Sequence, residues 1–354
     1  MKKKLILPIA GESTRFQGMR PKWLLTHPKG TLMLTESIRG IEPDRFDILI
    51  VGLAKHDKRY RCRQTVLKEF EREYPNQDVE YLLLEKQTNN HPHTVYEGLK
   101  RLDVSGPILI KDCDNFFKAK TPEDDINYVM VSDLHELNYV TPGNKSYVQM
   151  GQNNTIGNIV EKKVISNLFC CGGYFFREAK EFIKYYLALS NNKKLYISHI
   201  IYKMLLDKKL FFIKKTHNYI DWGTSEDWLN YKKQFSTIFV DIDGTLTKSS
   251  GEHFEPFWGT TEALAENVKV INELYDSGKA YIILTTGRKT QYRNITKEQM
   301  KRMGLKYHRM LMNLPSSKRV LINDYTKTSP FPTAIAINLK RDTEQLREKI
   351  ECII

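Results

Sequence analysis

Two clusters of charged residues follow apolar segments of this chain at spacings suited to phosphate chemistry. In the first, the apolar run Leu5–Ala10 leads into Gly11-Glu12-Ser13-Thr14-Arg15, and Pro21-Lys22 follows six residues after Arg15. A glycine directly after a strand lets the backbone turn tightly, so its N–H groups can face phosphate oxygens, while Arg15 and Lys22 supply charge-assisted hydrogen bonds. The pattern predicts a phosphate-binding loop, although an ordinary strand-to-helix turn with surface cations would look the same.

Carboxylates end two other parts of the same segment. The apolar run Pro107–Lys111 leads into Asp112-Cys113-Asp114-Asn115, and Asp221-Trp222-Gly223 precedes the amphipathic stretch Ser225–Phe235. Acidic residues at the carboxyl end of a strand lie where open α/β sheets bind ligands. Two alternatives stay open: Asp112 and Asp114 as loop caps, and Asp221–Asp227 as a helix start with Thr224 or Ser225 as N-cap.

The second cluster lies near residue 240. Thr237–Val240 is an apolar strand pattern that runs into Asp241-Ile242-Asp243-Gly244-Thr245-Leu246. Two acids separated by one residue can take separate roles, one attacking phosphorus and the other moving a proton. The cluster therefore predicts phosphoryl chemistry at a second site.

Hydrophobic patterning predicts the elements that must position these residues. The first part of the chain alternates between strands and helices, with strands at Leu5–Ala10, Asp47–Leu53, Val79–Leu84 and Pro107–Lys111 and helices at Leu32–Ile41, Gln64–Tyr74 and Thr94–Leu102. Such alternation predicts an α/β fold with a parallel sheet covered by helices. A second such pattern starts at Thr237, so we expect two domains, 1–235 and 236–354, joined by a stiff connection without a Gly/Ser/Pro linker.

The composition is that of a basic globular chain. Its 354 residues are 41% hydrophobic and 27% charged, with a net charge of +13. No apolar run of about 18 residues occurs, so we expect no membrane insertion. No basic stripe with interleaved aromatic residues occurs either, and we therefore expect no nucleic-acid partner.

The cysteines and the N-terminus indicate a cytoplasmic protein. The five cysteines, Cys62, Cys113, Cys170, Cys171 and Cys352, are odd in number and form no C-x-x-C pair, which argues against disulfides and zinc. Cys170 and Cys171 end an apolar run and are expected in the core. The start Lys2-Lys3-Lys4 precedes an apolar run that is too short for a signal peptide.

Four motifs of the first segment occur in the order typical of one enzyme family. They are the loop 11–22, Asp112–Asn115, Gly157–Lys162 followed by Gly172-Gly173-Tyr174, and Asp221–Asp227. On these motifs, residues 1–235 resemble the sugar-phosphate nucleotidyltransferases, also called nucleotide-sugar pyrophosphorylases. The resemblance implies a Rossmann-like mixed sheet and attack of a sugar phosphate on the α-phosphorus of a nucleoside triphosphate, with release of pyrophosphate. Mg²⁺ and cationic side chains are needed to neutralise the anionic groups that meet there.

The resemblance also implies a role for each matching residue. Arg15 and Lys22 would contact the triphosphate, Asp114 and Asp221 would hold Mg²⁺ with Asp112 as a further carboxylate, and Lys162 would meet the sugar phosphate. The residues expected to bind nucleotide or sugar are Ala10, Gly11, Glu12, Ser13, Thr14, Gln87, Thr88, Glu161 and Gly173.

Three positions depart from the family pattern. Ser13 stands where a second glycine is usual, and Trp23 follows Pro21-Lys22 where a further proline is common. The base-recognition stretch reads Gln87–Thr94 and includes His91 and His93, which we expect to be solvated loop residues. The base therefore does not follow from the family: CTP is favoured, and UTP and dTTP stay open.

Most of residues 236–340 resemble the haloacid dehalogenase superfamily. The matching residues are the Asp241–Leu246 motif after a strand, Thr286-Gly287-Arg288 after the strand Ile282–Thr285, and Lys318 before a predicted strand Val320–Ile322 that ends in Asn323-Asp324. The resemblance implies a capless, parallel α/β phosphatase domain. The interval between Asp243 and Thr286 leaves no room for a large cap.

In that family pattern, Asp241 is the nucleophile and Asp243 the general acid/base. Thr286 and Lys318 would hold the phosphate, and Mg²⁺ would lie at Asp241, Asp243 and Asp324. The last motif often has two acids, whereas here only Asp324 is acidic, between Asn323 and Tyr325. An inert domain that serves only for docking is the alternative.

Together these patterns predict a bifunctional enzyme for surface polysaccharide precursors, such as those of capsule or lipopolysaccharide. The first domain would join a nucleoside triphosphate to a sugar or polyol phosphate, and the second would act as a phosphatase on a related phosphosugar. A homo-oligomer is compatible with an open second site that another subunit closes. The alternatives are a phosphatase whose N-terminal half only binds nucleotide or sugar, and a glycosyltransferase, against which the Arg15…Pro21-Lys22 loop argues.

Overall fold

The computed structural model describes residues 3–121, 125–137, 141–249, 257–325 and 333–351. The chain divides into two compact units, Met1–Trp228 and Leu229–Ile354. Within the described ranges, no helix is long and apolar enough to cross a membrane. Each unit has its own hydrophobic core, and each is described separately below.

The first unit is built on a large mixed sheet. The strands of the unit are β1 (Lys3–Pro8), β2 (Phe46–Leu53), β3 (Val79–Leu84), β4 (Ile108–Lys111), β5 (Asn115–Lys118), β6 (Tyr128–Asp133), β7 (Ser146–Met150), β8 (Ile156–Glu161), β9 (Leu168–Phe176), β10 (Phe212–Lys215) and β11 (His217–Asp221). All of them except β5 and β11 belong to the large sheet. Its helices are α1 (Met33–Ile38), α2 (Ala54–Tyr60), α3 (Cys62–Glu73), α4 (His91–Arg101), α5 (Ala179–Leu189) and α6 (Ile197–Leu206), and α7 (Ser225–Lys232) spans the boundary between the units.

The main sheet has the strand order β3, β2, β1, β4, β9, β6, β10. The four strands from β3 to β4 are parallel, as the alternating pattern predicts, whereas β9 runs antiparallel to both β4 and β6. Both faces of β1 are buried, because the first unit has a hydrophobic cluster on each side of its sheet. Ile6 packs into one of these clusters, and Leu5 and Leu7 pack into the other. Burial on both faces explains why β1 and β2 read as unbroken apolar runs.

The order of the strands brings the predicted loops together. β1 and β4 are parallel neighbours, so their carboxyl ends meet at one edge of the sheet. The glycine loop after β1 and the acidic turn after β4 therefore lie side by side. A small antiparallel pair, β5 with β11, aligns Asn115 with Asp221 and brings the last acidic motif to the same edge.

The second unit contains a three-stranded parallel sheet. Its strands are β12 (Ser236–Asp241), β13 (Ala280–Thr285) and β14 (Arg309–Leu311), and its helices are α8 (Ala265–Asp276), α9 (Arg293–Arg302) and α10 (Leu346–Ile350). The parallel arrangement agrees with the α/β pattern expected here. The predicted strand Val320–Ile322 is wrong: these residues form no strand, and their side chains are exposed. An apolar run of three residues gains β structure only when a neighbouring strand pairs with it.

Candidate functional site

The loop after β1 follows the phosphate-binding pattern with one substitution. Ser13, which stands in place of the usual glycine, has a φ of 52°, in the left-handed region that glycine adopts most readily. Its hydroxyl accepts a hydrogen bond from the backbone N–H of Lys22 at 3.1 Å. The serine thus keeps the glycine-like turn and ties the two ends of the loop together.

Asp114 and Asp221 face the same cleft, together with cations. Lys22 Nζ lies 2.5 Å from Asp114 Oδ2, and Arg15 Nη2 lies 3.5 Å from the same oxygen. Burial alone would raise the pKa of Asp114, but the charges of Lys22 and Arg15 outweigh it and hold that pKa well below its usual range. Asp221 forms an ion pair with Lys145, a residue that sequence reasoning did not single out.

Gly223 marks the point where these side chains converge. A Cβ at this position would lie 3.0 Å from Asp221 Oδ1, 3.5 Å from Arg15 Nη1 and 3.7 Å from Asp114 Oδ2. The backbone N–H of Gly223 donates to Asp221 Oδ1 at 3.0 Å, which fixes that carboxylate. Next to it, Thr224 caps α7 through reciprocal hydrogen bonds with Asp227, which confirms the predicted helix start.

The two carboxylates fit the needs of a magnesium ion. Mg²⁺ is held in many enzymes by one or two carboxylates, with water and substrate phosphates completing its coordination. Within the described ranges, no group of three or more His, Cys, Asp or Glu side chains is placed to hold a metal ion. Asp114 and Asp221 would provide two carboxylate ligands, and water and a phosphate substrate would provide the others.

A buried lysine shapes the acidic turn after β4. Lys111 is completely buried and donates through Nζ to the carbonyl of Asp112 at 2.6 Å and to the Oδ1 of Asn115 at 2.6 Å. Burial lowers the pKa of Lys111 to about 8. On β9, Gly172 has a φ of 80°, and a Cβ there would meet Asp112 Oδ2 at 2.5 Å. Lys111 and Gly172 thus fix the turn from both sides.

Another side of the cleft is lined by Glu161, at the end of β8, and by Lys162, which follows it. Glu161 Oε2 accepts hydrogen bonds from Ser198 at 2.6 Å and from Ser146. Lys162 Nζ donates to the hydroxyl of Tyr196 at 2.7 Å. The two residues thus place one carboxylate and one ammonium group side by side in the cleft.

Two residues that we expected to bind sugar or nucleotide, Gly173 and Ala10, do not line the cleft. Gly173 does not line the cleft: its neighbours are Met130 and Phe117, and Gly172 lines the cleft in its place. Ala10 is buried, but its carbonyl accepts a hydrogen bond from Gln87 Nε2 at 2.9 Å.

The stretch Gln87–Thr94, in which we expect base recognition, runs into the first turn of α4, which begins at His91. Asn90 caps this helix by accepting from the N–H of His93 at 2.9 Å. His91 Nε2 lies 3.2 Å from Asp112 Oδ1, and His93 Nδ1 accepts from the N–H of Asn89 at 3.1 Å. The two histidines therefore belong to a capped helix start and do not lie in a solvated loop. Proline is well tolerated in a first turn, which is why His-Pro-His can begin a helix.

The cleft has a volume of about 600 Å³, and every residue that lines it belongs to the first unit. Of the residues predicted from the sequence, it is lined by Gly11, Glu12, Ser13, Thr14, Arg15, Lys22, Gln87, Thr88, Asp112, Asp114, Glu161, Lys162 and Asp221. Lys145, Tyr196, Ser146 and Ser198 line it as well. No motif of the sequence singles these four residues out.

In the second unit, the two acids after β12 have different partners. Asp243 accepts a two-pronged ion pair from the fully buried Arg288, with Nη2 to Oδ1 at 2.8 Å and Nε to Oδ2 at 3.0 Å. Thr286 also donates to Asp243, at 3.2 Å. Burial and the charge of Asp243 raise the pKa of Asp241 to about 6. Arg319 lies 3.5 Å from Asp241.

The predicted metal set of the second unit is not assembled. The described residues offer no acidic group of three that includes Asp241, Asp243 and Asp324. Both oxygens of Asp243 already accept bonds from the fully buried Arg288, so Asp243 does not fit as a ligand of Mg²⁺. Lys318 and Asp324 lie exposed in the segment that forms no strand. The missing strand explains their position, since it was expected to carry them to the sheet edge.

The cysteines agree with the expectation of free thiols. Cys62, Cys113, Cys170 and Cys171 are buried and unbridged, and Cys352 lies outside the described residues. Burial raises the pKa of the Cys113 and Cys171 thiols to about 12. These thiols are therefore neutral side chains of the core.

Comparison with solved structures shows a shared fold. A nucleoside-diphosphate-sugar pyrophosphorylase from Vibrio cholerae aligns with a TM-score of 0.55 and 17% identity, over 64% of this chain and 98% of that one. The inositol-1-phosphate CTP transferase of T. maritima aligns with a TM-score of 0.53 and 14% identity, over 64% of this chain and 91% of that one. A UDP-glucose pyrophosphorylase aligns with a TM-score of 0.50 and 17% identity, over 65% of this chain and 97% of that one.

Over 64% to 65% of its length, the chain has the fold of these nucleotide-sugar pyrophosphorylases. At such low identities the likeness extends to the fold and no further. No protein-family model matches the chain, and no curated protein matches its sequence.

Proposed function

We propose that the first unit transfers a nucleotidyl group from a nucleoside triphosphate to a sugar or polyol phosphate. A phosphate oxygen of the acceptor forms a bond to the α-phosphorus, and the bond from the α-phosphorus to its bridging oxygen breaks, so that pyrophosphate leaves. One observation carries the proposal: Asp114 and Asp221 converge with Arg15 in one cleft beside the Gly11 loop. The shared fold supports it.

The residues of the cleft divide into a donor and an acceptor side. Arg15 and Lys22 would bind the triphosphate and pair with its negative charge. A divalent cation at Asp114 and Asp221 would neutralise phosphate oxygens around the reacting phosphorus. On the acceptor side, Lys162 would bind the acceptor phosphate, and Glu161 would accept hydrogen bonds from its hydroxyl groups.

CTP is the donor that we test first. The inositol-1-phosphate CTP transferase among the structural neighbours takes this nucleotide, and UTP and dTTP are the next candidates. A sugar or polyol phosphate for a surface polysaccharide is the proposed acceptor. The same chemistry requires a reaction that supplies the phosphorylated acceptor and another that consumes the activated product.

For the second unit we propose a phosphatase related to the haloacid dehalogenases. Asp241 would attack the phosphorus of a phosphosugar and form an aspartyl-phosphate while the bond from phosphorus to the sugar oxygen breaks. Asp243 would donate a proton to that leaving oxygen and then accept one from the water that hydrolyses the aspartyl-phosphate and releases phosphate. The strand β12 that ends at Asp241, together with the contact of Thr286 with Asp243, supports this assignment. Lys318 and Asp324 would have to approach Asp241 for turnover.

The deciding experiment measures pyrophosphate and phosphate release with Mg²⁺. CTP, UTP, dTTP, ATP and GTP are each combined with a panel of sugar and polyol phosphates, and the products are identified by mass spectrometry. We expect pyrophosphate together with a new nucleotide-linked product, and we expect Asp114→Asn to abolish both. Phosphate without pyrophosphate would mean that the first unit only binds its ligands. Consumption of a nucleotide-sugar without free triphosphate would indicate a glycosyltransferase.

A further inference from the structure

Lys145 is a cation of the cleft to which no motif assigns a role. It precedes β7, and its Nζ forms an ion pair with Asp221 and donates to the Tyr219 hydroxyl at 2.7 Å. Tyr219 and Asp221 are two residues apart on β11, so both side chains point to the same face and reach the same ammonium group. The side chain of Lys145 is only 12% exposed.

The two carboxylates proposed to hold the metal ion are thus already paired with cations. Asp114 contacts Lys22 and Arg15, and Asp221 contacts Lys145. A free divalent cation would have to displace an ammonium group from each carboxylate, leaving a largely buried lysine without an anion. A triphosphate changes this balance because its oxygens offer the displaced lysines new partners.

Lys145 is also tied to the acceptor side through the backbone. Its carbonyl accepts a hydrogen bond from the N–H of Lys162 at 2.9 Å. Lys162 itself has a φ of 54°, so the backbone at this point is tightly turned. When the Lys145 ammonium group leaves Asp221, the backbone of Lys145 stays fixed by this hydrogen bond. It lies between Asp221, the proposed metal ligand, and Lys162, which is proposed to bind the acceptor phosphate.

We propose that Lys145 is a displaceable counter-cation of Asp221, which keeps this carboxylate paired until a divalent cation and a triphosphate bind together. The inference rests on the proposed function, because it uses the same two carboxylates as metal ligands. It makes Lys145 a positioning residue: it orients Asp221 through an ion pair and lowers the affinity of the empty cleft for a free metal ion. Lys22 and Arg15 do the same for Asp114.

The test measures the binding of Mn²⁺ alone to the purified full-length chain, by electron paramagnetic resonance. We expect weak binding by the wild type, and about tenfold tighter binding by Lys145→Met, which removes the competing charge but keeps the length of the side chain. Lys145→Arg restores the charge and should bind Mn²⁺ as weakly as the wild type. In Lys145→Met, the added change Asp221→Asn should abolish the gain.

A second variant keeps the test valid if Lys145→Met fails to fold. Tyr219→Phe removes the hydrogen bond that holds the ammonium group and should tighten Mn²⁺ binding in the same direction by a smaller factor. Unchanged or weaker Mn²⁺ binding in both Lys145→Met and Tyr219→Phe would overturn the inference. In that case the proposed function still stands, without the role of Lys145, if Asp221→Asn weakens Mn²⁺ binding and the wild type releases pyrophosphate. Absence of both Mn²⁺ binding and pyrophosphate release would overturn both.

Discussion

At the scale of single residues, the cleft depends on charges that burial would otherwise suppress. Burial acts to lower the pKa of Lys22, but the carboxylate of Asp114 more than offsets it and raises that pKa. The same contact holds the pKa of Asp114 far below its usual range. Both groups therefore remain charged at neutral pH, and each makes the charge of the other tolerable in a largely buried place.

Replacement of Lys22 tests this pair. Lys22→Ala should lower kcat/KM for pyrophosphate formation by about a hundredfold or more, because it removes a phosphate-binding cation and leaves Asp114 without its nearest partner. The exposed Lys100 on α4 provides a matched control, and Lys100→Ala should leave the rate unchanged. Similar losses in the two variants would contradict a specific role for Lys22.

At the scale of elements, strand ends and their connections build the site. The antiparallel pair of β5 and β11 aligns Asn115 with Asp221, and the backbone N–H of Trp222 donates to the Asp114 carbonyl at 2.8 Å. The segment from Asp221 to the capped start of α7 has to pass close to both carboxylates. Gly223 is the residue that makes this passage without filling the cleft.

A methyl group at Gly223 should therefore block the site with little effect on folding. We expect Gly223→Ala to keep the melting temperature within a few degrees and to reduce pyrophosphate formation by about a hundredfold, since the added Cβ occupies the space between Asp221, Arg15 and Asp114. Gly143→Ala is the control, because a Cβ there meets no atom within 4 Å. Full activity of Gly223→Ala would show that the reacting groups lie elsewhere.

At the scale of the whole molecule, the chain consists of two units with separate cores. The cleft with Asp114 and Asp221 is lined by the first unit alone, and Asp241 and Asp243 belong to the second. Separate cores allow the two proposed activities to be removed one at a time.

The paired variants Asp114→Asn and Asp241→Asn test this independence. Asp241→Asn should abolish phosphate release from phosphosugars and leave pyrophosphate formation unchanged, because it removes the proposed nucleophile of one site only. Asp114→Asn should do the reverse. Both activities are measured on the same full-length preparations. Loss of both activities in either variant would mean that the two sites depend on each other.

Much of the first unit could be predicted from the sequence. Strands such as β1 and β4 appear as apolar runs, and the motif residues that follow them occupy the positions that open α/β sheets use for ligands. Local chemistry left Thr224 and Ser225 as alternative N-caps of a helix start, and Thr224 is the residue that caps α7. Ser13 shows how a local rule can be met by another residue, since it takes up the left-handed conformation expected of glycine.

The sequence by itself determined the α/β pattern and the candidate residues at the strand ends, because these features depend on neighbours in the chain. Only the tertiary structure decided which charges meet. The ion pair of Lys145 with Asp221 depends on where β7 and β11 lie. The ion pair of Arg288 with Asp243 depends on the register of β12 and β13. The apolar run Val320–Ile322 resembles a strand locally but pairs with no strand among the residues that the structure describes. Hydrophobic periodicity carries no information about such pairings, since they are set by strand order and by packing between distant segments.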